Sequence, residues 1–301
     1  QAVDINPQLA TNLGLDTGPR AGLKSALAGR GLQDRARAIA LNEAWLAEIR
    51  AIDGSSLTGQ SAASFEVVRF QAEALDAAKG FGYGDFGFVD PSVYPLQPYT
   101  VSQLTGAYQA TPDFLDTQHS IETAADADAY LSRLSAFAQV LDQETEASGL
   151  DADRGVIPPI FIVAKALDQM RALRAPTAAE AGLTRSIARR TAEKGIAGDW
   201  SERAAVIVEH EIYPALERQI ALLETWRPRA TTDAGLWARP QGEAYYAANL
   251  RLMTTTDLDP ETIHQMGLDQ SRDILSRMDA LLKAEGMTEG TVGRRMAALG
   301  R

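Results

Sequence analysis

Helical periodicity runs through most of the chain, and it constrains the fold more than any other feature. Apolar residues recur three and four positions apart, and no segment shows the apolar–polar alternation of a half-buried strand. The first two such segments are 32–52 and 61–78, which a short loop around Asp53 would join as an antiparallel hairpin. The sequence therefore predicts an all-α protein, an irregular multi-helix array without a fixed repeat.

Capping residues and prolines predict where several helices begin and end. Thr123 and Ser201 are expected to cap helices, and Pro158-Pro159 to open another. Pro214 is expected to kink or break the helix that contains it. Asp259 should cap a helix with Pro260 at its first position, and Gly286 should stop it. The apolar face predicted for that last helix consists of Ile263, Met266, Ile274, Met278, Leu281 and Leu282.

Glycine and proline interrupt the helical pattern between residues 81 and 100. Glycine permits unusual backbone angles and proline removes a hydrogen-bond donor, so this segment should be an irregular loop. We therefore expect a helical hairpin region at 1–80, the loop at 81–100, and a main helical body at 101–301. That body is expected to be one continuous domain that is truncated at its C-terminus.

Composition excludes several classes of function. The 301 residues carry a net charge of −11, which argues against binding to nucleic acid or to an anionic membrane. The absence of cysteine excludes disulfides, thiolate metal sites and a cysteine nucleophile. No apolar run approaches the ~20 residues of a membrane-spanning helix. The chain begins at Gln1 rather than methionine, and removal of an export signal or a trimmed recombinant start would each explain this.

Two partial motifs are better explained by structure than by catalysis. His210-Glu211 matches the first half of His-Glu-x-x-His, but the second histidine would fall on Pro214. His119 and His264 are too distant along the chain to restore a local metal site. The run 82–87 matches the dinucleotide fingerprint G-x-G-x-x-G, but a helix precedes it where that motif needs a strand. The sequence thus predicts no metal site and no nucleotide site.

The best candidate site lies between residues 245 and 264. Tyr245 and Tyr246 fall on adjacent helix faces, so that one can be buried while the other lines a cavity. Arg251 could donate two hydrogen bonds to a carboxylate, and the threonines at 254–256 could cap a helix or donate to a ligand. The alternatives are a helix–turn–helix with a threonine cap and the wall of a substrate cavity. The candidate substrate-binding residues are Tyr245, Tyr246, Arg251, Thr255 and His264.

A series of landmarks spread over nearly the whole chain resembles the bacterial domain-of-unknown-function family 885, whose members are often exported or lipid-anchored. The landmarks are Tyr99–Gly106, Pro112–Leu115, Asp126–Leu134, Gly155–Pro159, Ala234–Trp237, Gly242–Tyr246, Thr254–Thr256, Ile263–Gln270 and Gly290–Met296. The resemblance implies a mostly helical fold similar to zinc-dependent peptidases of the gluzincin kind. It also implies that the zinc ligands lie in a C-terminal half, in a His-Glu segment followed by Pro-Gly-His-His and in a Glu-Gly-Trp-Ala segment. Neither of these two motifs occurs in this sequence.

The resemblance therefore covers the N-terminal half of the family only, and no catalytic residue can be carried onto this chain. We expect either a fragment or a natural short form, which is exported or periplasmic. One hypothesis is that the chain is the cleft-forming half of a metal-dependent peptidase or amide hydrolase, inactive without the other half and its zinc. The alternative is a non-enzymatic periplasmic protein that binds a small peptidic or carboxylate ligand. A purely structural remnant also remains open.

Overall fold

The computed structural model describes residues 2–86 and 96–299, and helices dominate both ranges. The α-helices are α1 (Ala2–Ile5), α2 (Pro7–Asn12), α3 (Leu32–Arg50), α4 (Gly59–Ala78), α5 (Ala107–Thr117), α6 (Ala124–Asp153), α7 (Ile160–Arg174), α8 (Gly182–Glu193), α9 (Trp200–Ile207), α10 (Tyr213–Trp226), α11 (Gly242–Thr254), α12 (Pro260–Ala284) and α13 (Val292–Leu299). Shorter 3₁₀ turns occupy Gly18–Ser25, Gly54–Ser56, Lys79–Phe81, Ala178–Glu180 and Leu236–Ala238. The predicted all-α class is confirmed.

A single short strand pairing occurs within the described ranges. Strands β1 (Asp85–Phe86) and β2 (Leu96–Gln97) are antiparallel, with Asp85 opposite Gln97 and Phe86 opposite Leu96. The predicted irregular loop at 81–100 therefore contains a two-residue bridge, and its central part, 87–95, lies outside the described residues.

The chain divides into two compact units, Gln1–Asn249 and Leu250–Arg301. The first unit contains α1 to α10 and most of α11, and the second contains the end of α11 with α12 and α13. This division is separate from the predicted boundaries of 1–80, 81–100 and 101–301, which stay predictions.

Helix α6 is the centre of the first unit. Thr123 caps it as predicted, because the Thr123 hydroxyl accepts from the Asp126 N–H and the Asp126 carboxylate accepts from the Thr123 N–H. The buried side chains of α6 pack against α5, α7, α9 and α10 in one apolar core. The fully buried apolar side chains at the middle of this core are Tyr130, Leu134, Phe137, Leu141, Leu167, Met170 and Leu216.

Two predicted helix boundaries differ from the structure. The helix predicted to follow a Ser201 cap begins at Trp200, with Asp199 at the cap position. Pro214 does not break the helix, because the backbone widens into a π-helix over Val208–Ile212 and then continues as α10, and the alternative of a kink at Pro214 stays a prediction. Proline cannot donate and its ring crowds the carbonyl four residues earlier, so the wider turn accommodates it without a sharp break. Pro158-Pro159 precedes α7 as predicted.

The hairpin of α3 and α4 is confirmed, but its apolar faces are less buried than the periodicity suggested. Leu46, Ala72 and Leu75 are buried, whereas Ile52 is 49% exposed and Val68 is 50% exposed. Ile52 lies beyond the last turn of α3, where helical spacing no longer fixes its direction. On α4 the buried residues are confined to the C-terminal half, so Val68 lies outside the contact.

In the second unit, both predicted ends of α12 are confirmed. The Asp259 carboxylate accepts from the Thr262 N–H at 3.0 Å, and Gly286 follows the helix with a φ of +80°. The predicted apolar face is wrong as a buried face, since only Leu282 is buried and Leu281 is 69% exposed. Within this unit α12 packs on α13, which is too short to cover a helix of 25 residues.

Candidate functional site

Tyr245 and Tyr246 lie on different faces of α11 in the first unit, as their spacing predicted. Tyr245 is fully buried, with its ring 4.8 Å from that of Phe81 and 5.1 Å from that of Tyr83. Tyr246 is 47% exposed. The arrangement satisfies the geometric condition for one buried tyrosine and one accessible tyrosine, but the proposed binding role of both stays a prediction.

The other three predicted residues belong to the second unit. The Arg251 guanidinium is 2.7 Å from the Asp257 carboxylate, and both side chains are largely exposed. Thr255 directly follows α11 in the left-handed region at a φ of 55°, where its N–H donates to the Arg251 carbonyl at 2.8 Å. A β-branched residue is uncommon in that region. His264 is exposed on α12. A ligand role for Arg251, Thr255 and His264 is likewise still a prediction.

The donors present do not fit a zinc site in the described part of the chain. No group of three or more His, Asp or Glu residues there is arranged to hold a metal ion. Both ring nitrogens of buried His119 are engaged, because Arg133 Nη1 lies 2.8 Å from Nδ1 and the Asp126 carbonyl lies 3.0 Å from Nε2. Since a guanidinium can only donate, Nδ1 accepts and Nε2 carries the proton.

A cleft of about 560 Å³ opens in the first unit. Its walls are the N-terminal segment with the start of α3, the glycine turn 82–85, and parts of α5 and α6. Phe114 and Leu150 contribute apolar surface to it, and Thr111 contributes a hydroxyl. This size is within the range of ~300–1,000 Å³ that is typical of small-molecule sites.

Four arginines and four aspartates line the cleft, and each carboxylate already has a donor. Asp4 pairs with Arg20 at 3.1 Å, and Asp34 accepts from the Gly31 N–H at 3.2 Å. Asp85 pairs with Arg30 at 3.1 Å, and Asp151 accepts from the Gly84 N–H at 2.9 Å. The four aspartates that line the cleft are thus Asp4, Asp34, Asp85 and Asp151. Each of these carboxylates therefore already accepts at least one hydrogen bond within the protein.

The arginines of the cleft differ in how they are held. The Arg35 guanidinium donates to the Gly84 carbonyl at 3.3 Å, and burial lowers its pKa although Asp151 and Asp85 oppose that shift. Arg154 donates to the Gly82 carbonyl. Arg37 on the exposed side of α3 lines the same cleft and makes no hydrogen bond or ion pair with any residue in 2–86 or 96–299. Among the described arginines of the cleft, Arg37 is thus the one that remains available to a ligand.

Burial changes the titration of two carboxylates near the cleft. The pKa of Asp151 is raised by burial, which outweighs the Gly84 hydrogen bond and the charges of Arg35 and Arg154. Burial also raises the pKa of Glu144 to about 7. Both Glu144 oxygens accept from the Ala107 N–H, at 3.0 and 2.8 Å, and Arg30 lies 3.2 Å from one of them. Glu144 therefore fastens the first turn of α5 beside the cleft.

Arg133 holds the N-terminal wall of the cleft against α6. This side chain is fully buried, and its guanidinium donates to the Ala26 carbonyl at 2.9 Å and to the Leu23 carbonyl at 3.1 Å. It also donates to the Thr11 hydroxyl at 2.7 Å and to His119. Its carbon lies 4.9 Å from the centre of the Phe114 ring. A buried guanidinium is tolerated only when its N–H groups are hydrogen-bonded. The buried position of Arg133 on α6 and the conformation of the N-terminal segment therefore depend on each other.

The pH dependence of the contacts around Arg133 can be predicted from the pKa of His119. Burial, with smaller effects of Arg133, Lys24 and Arg190, lowers the His119 pKa from 6.5 to about 4. The unfolded chain therefore takes up a proton near pH 6.5, whereas the folded chain takes it up only near pH 4. This contribution to stability is complete above pH 6.5 and is lost as the pH falls toward 4. Glu144 opposes it, because a raised carboxylate pKa adds stability as the pH falls from about 7 toward 4.5.

We therefore predict how the difference in unfolding free energy between the wild type and His119→Asn changes with pH. His119→Asn keeps an acceptor for Arg133 and cannot titrate, while Glu144 is unchanged in both proteins. The stability advantage of the wild type over the variant should shrink by about 2 kcal/mol between about pH 6.5 and 5, at ~1.36 kcal/mol per unit. Urea unfolding at both pH values measures it. A difference that does not vary with pH would show that His119 is not held neutral by its surroundings.

Sequence reasoning missed the cleft. Arg35 and Arg37 lie in the first turns of a helix that was interpreted only as half of a hairpin. The available signal was the pair of arginines two positions apart within a predicted amphipathic helix. Their convergence with Asp151 and the glycine turn depends on contacts between segments that are distant along the chain.

The comparisons with known proteins agree with this architecture. The family model for "Bacterial protein of unknown function (DUF885)" matches residues 7–301. A solved structure described as "the putative lipoprotein from Colwellia psychrerythraea" is similar, with a TM-score of 0.84 at 22% identity. The match covers 99% of this chain and 52% of that one, so the chain spans about half the length of this neighbour. No curated protein matches. With nearly every residue inside the family model, the chain belongs to the bacterial family of unknown function DUF885.

Proposed function

We propose that the first unit binds a small carboxylate-bearing ligand of peptidic type in its arginine-lined cleft. The observation that carries this proposal is Arg37, a guanidinium that pairs with no residue in the described part of the chain and lies in a cleft whose carboxylates already have donors. A guanidinium presents a planar fork that matches a carboxylate with two parallel hydrogen bonds. In a chain with a net charge of −11, an available arginine inside a concavity favours an anionic ligand over a cationic one.

The remaining lining supports a ligand with apolar parts. Phe114 and Leu150 offer apolar surface, and Thr111 and Arg154 offer donors at separate points of the cleft. A dipeptide or a short dicarboxylate would fill a concavity of about 560 Å³ without a large rearrangement. Arg251 of the second unit is less available to a ligand than Arg37, because it already pairs with Asp257.

An exported or periplasmic location is part of the same proposal. It is supported by the solved neighbour, whose description reads "putative lipoprotein". Among the helices that the structure describes, none is both long and apolar enough to cross a bilayer.

The prediction for this site concerns Arg37. A thermal-shift screen with dipeptides, their C-terminal amides and short dicarboxylates at millimolar concentration should find ligands that raise the melting temperature, because binding to the folded state stabilises it. Arg37→Ala should weaken the best of these by roughly tenfold or more, since a charge-assisted hydrogen bond is lost. Arg50→Ala, on the exposed end of the same helix and outside the cleft, is the matched control and should bind normally.

Two results would contradict the proposal. One is a screen in which no compound changes the melting temperature. The other is an Arg37→Ala variant that binds as tightly as the wild type, which would show that the ligand carboxylate binds elsewhere. Because Arg37 and Arg50 are both exposed, neither substitution should change stability by more than ~0.5 kcal/mol.

A second candidate function is that the chain supplies the cleft-forming half of a metal-dependent peptidase or amide hydrolase. It is favoured by the solved neighbour, of which this chain matches only 52%. Any zinc and its ligands would then belong to a further part of a longer protein, since the residues described here do not fit a metal. In that arrangement the cleft would bind the substrate carboxylate and contribute no catalytic group.

Peptide hydrolysis with added zinc tests the second candidate. We expect hydrolysis by a longer protein that contains this chain, if its gene encodes one, and none by the 301-residue chain alone. Zinc-dependent hydrolysis by the 301-residue chain would contradict the assignment of the metal to another segment. If the longer protein binds peptides but does not hydrolyse them, the binding function is supported and the enzymatic function is contradicted.

A further inference from the structure

Two buried threonines in the wall of the cleft carry hydroxyl groups that the protein does not use. Thr100 is 8% exposed and Thr111 is 5% exposed, and both line the cleft. Neither hydroxyl makes a hydrogen bond with any residue in 2–86 or 96–299. Neither hydroxyl oxygen is completely enclosed by protein atoms, so each is accessible from the cleft that its residue lines.

The buried threonines that lie outside the cleft differ from these two. The hydroxyls of Thr184 and Thr191 each donate to a backbone carbonyl, at 2.7 and 2.8 Å. Both residues are as buried as Thr100 and Thr111, and neither lines the cleft. A buried hydroxyl normally has a partner within the protein. Among the described residues, the buried threonines without such a partner are therefore the ones that line the cleft.

Helix α5 holds Thr111 in a fixed position. Phe114 lies three positions further along and thus on the same side of the helix, and it lines the same cleft. The first turn of α5 is fastened to α6 by Glu144. A threonine inside a helix often donates to the carbonyl four positions earlier, as Thr191 does, but Thr111 does not. The local partner is thus left unused on a helix that is itself well anchored.

Asn6 adds a neutral donor from the N-terminal wall. It is 8% exposed and lines the cleft, and its side-chain oxygen accepts from the Leu9 N–H at 3.1 Å. The NH₂ group of Asn6 can only donate, and it makes no hydrogen bond within the described part of the chain. The buried lining thus offers one group that donates and two hydroxyls that can both donate and accept.

These groups match a neutral polar group better than a second charge or an apolar group. A peptide amide carries one acceptor and one donor, and a threonine hydroxyl can bind either. A second charge would lose its hydration without meeting an opposite charge, which is costly. An apolar group at the same place would leave the hydroxyls without partners, and sites of this kind reject such analogues.

We infer that Thr100 and Thr111 are specificity-determining residues, whose hydroxyls bind the amide of a peptide that is held in the same cleft by Arg37. This inference rests on the proposed function of the cleft, in which Arg37 binds the ligand carboxylate. It assigns recognition of the amide to named side chains, and it requires that a carboxylate without an amide binds more weakly.

Two ligands that differ only in the amide test this inference by calorimetry. They are glycyl-leucine and an analogue in which –CH₂–CH₂– replaces the –CO–NH– group, so that both carry the same charges and side chain. The wild type should bind the dipeptide roughly tenfold more tightly than the analogue. The double variant Thr100→Val, Thr111→Val keeps the shape of both side chains without their hydroxyls, and it should bind the two ligands equally.

Two further variants serve as controls. The double variant Thr100→Ser, Thr111→Ser keeps both hydroxyls and should keep the preference for the dipeptide. Thr191→Val removes a hydroxyl that has a partner in the core, so it should lower the melting temperature and leave the preference unchanged. The double valine variant should melt close to the wild type, because its missing hydroxyls had no partner in the described protein.

The outcomes separate the inference from the function on which it rests. If the wild type binds both ligands equally, the amide is not recognised, so the inference is wrong and the function stands. If the double valine variant keeps the full preference, or if Thr191→Val abolishes it as well, the two hydroxyls are not the cause and the inference is also wrong. If the wild type binds neither ligand nor any other carboxylate, both the inference and the function are overturned.

Discussion

The buried guanidinium of Arg133 is the interaction on which the cleft depends. Its donors reach two carbonyls and a hydroxyl of the N-terminal segment and the ring of His119, all from one position on α6. Burial lowers its pKa to about 10, so it stays charged at neutral pH. A charge in the interior is tolerated only while these partners remain in place. If the N-terminal wall separates from α6, the Arg133 guanidinium is therefore either exposed to solvent or left buried without its hydrogen-bond partners.

Helix α6 also holds the other walls of the cleft through hydrogen bonds of its buried polar side chains. Arg133, Glu144 and Asp151 are separated by 11 and 7 residues, which are close to whole numbers of helical turns, so they lie along one stripe of α6. Each fastens a different segment: Arg133 the N-terminal segment, Glu144 the start of α5, and Asp151 the turn at Gly84. A helix of 30 residues thus sets the relative positions of three segments that are distant along the chain.

The sequence allowed the helices to be predicted but not this stripe. Helical spacing, the Thr123 cap and the Asp259–Pro260 start are local signals, and the structure confirms them. The buried polar contacts are not local, since Arg133 meets Thr11 across more than a hundred positions. Apolar periodicity also overestimated burial on α12, because periodicity shows that a face is apolar and not that a partner covers it. Tyr245 and Tyr246 were placed correctly on different faces, whereas the arginine cleft required the tertiary contacts.

Hydrogen exchange of Arg133→Met tests most directly whether one buried cation holds the wall of the cleft. Methionine fills a similar volume but leaves the Ala26 and Leu23 carbonyls and His119 without their donor. Our account predicts that amide exchange in Gly18–Ser25 accelerates strongly, while the core amides of α7 and α10 keep most of their protection. Unchanged exchange in Gly18–Ser25, or an equal acceleration in all helices of the first unit, would contradict it.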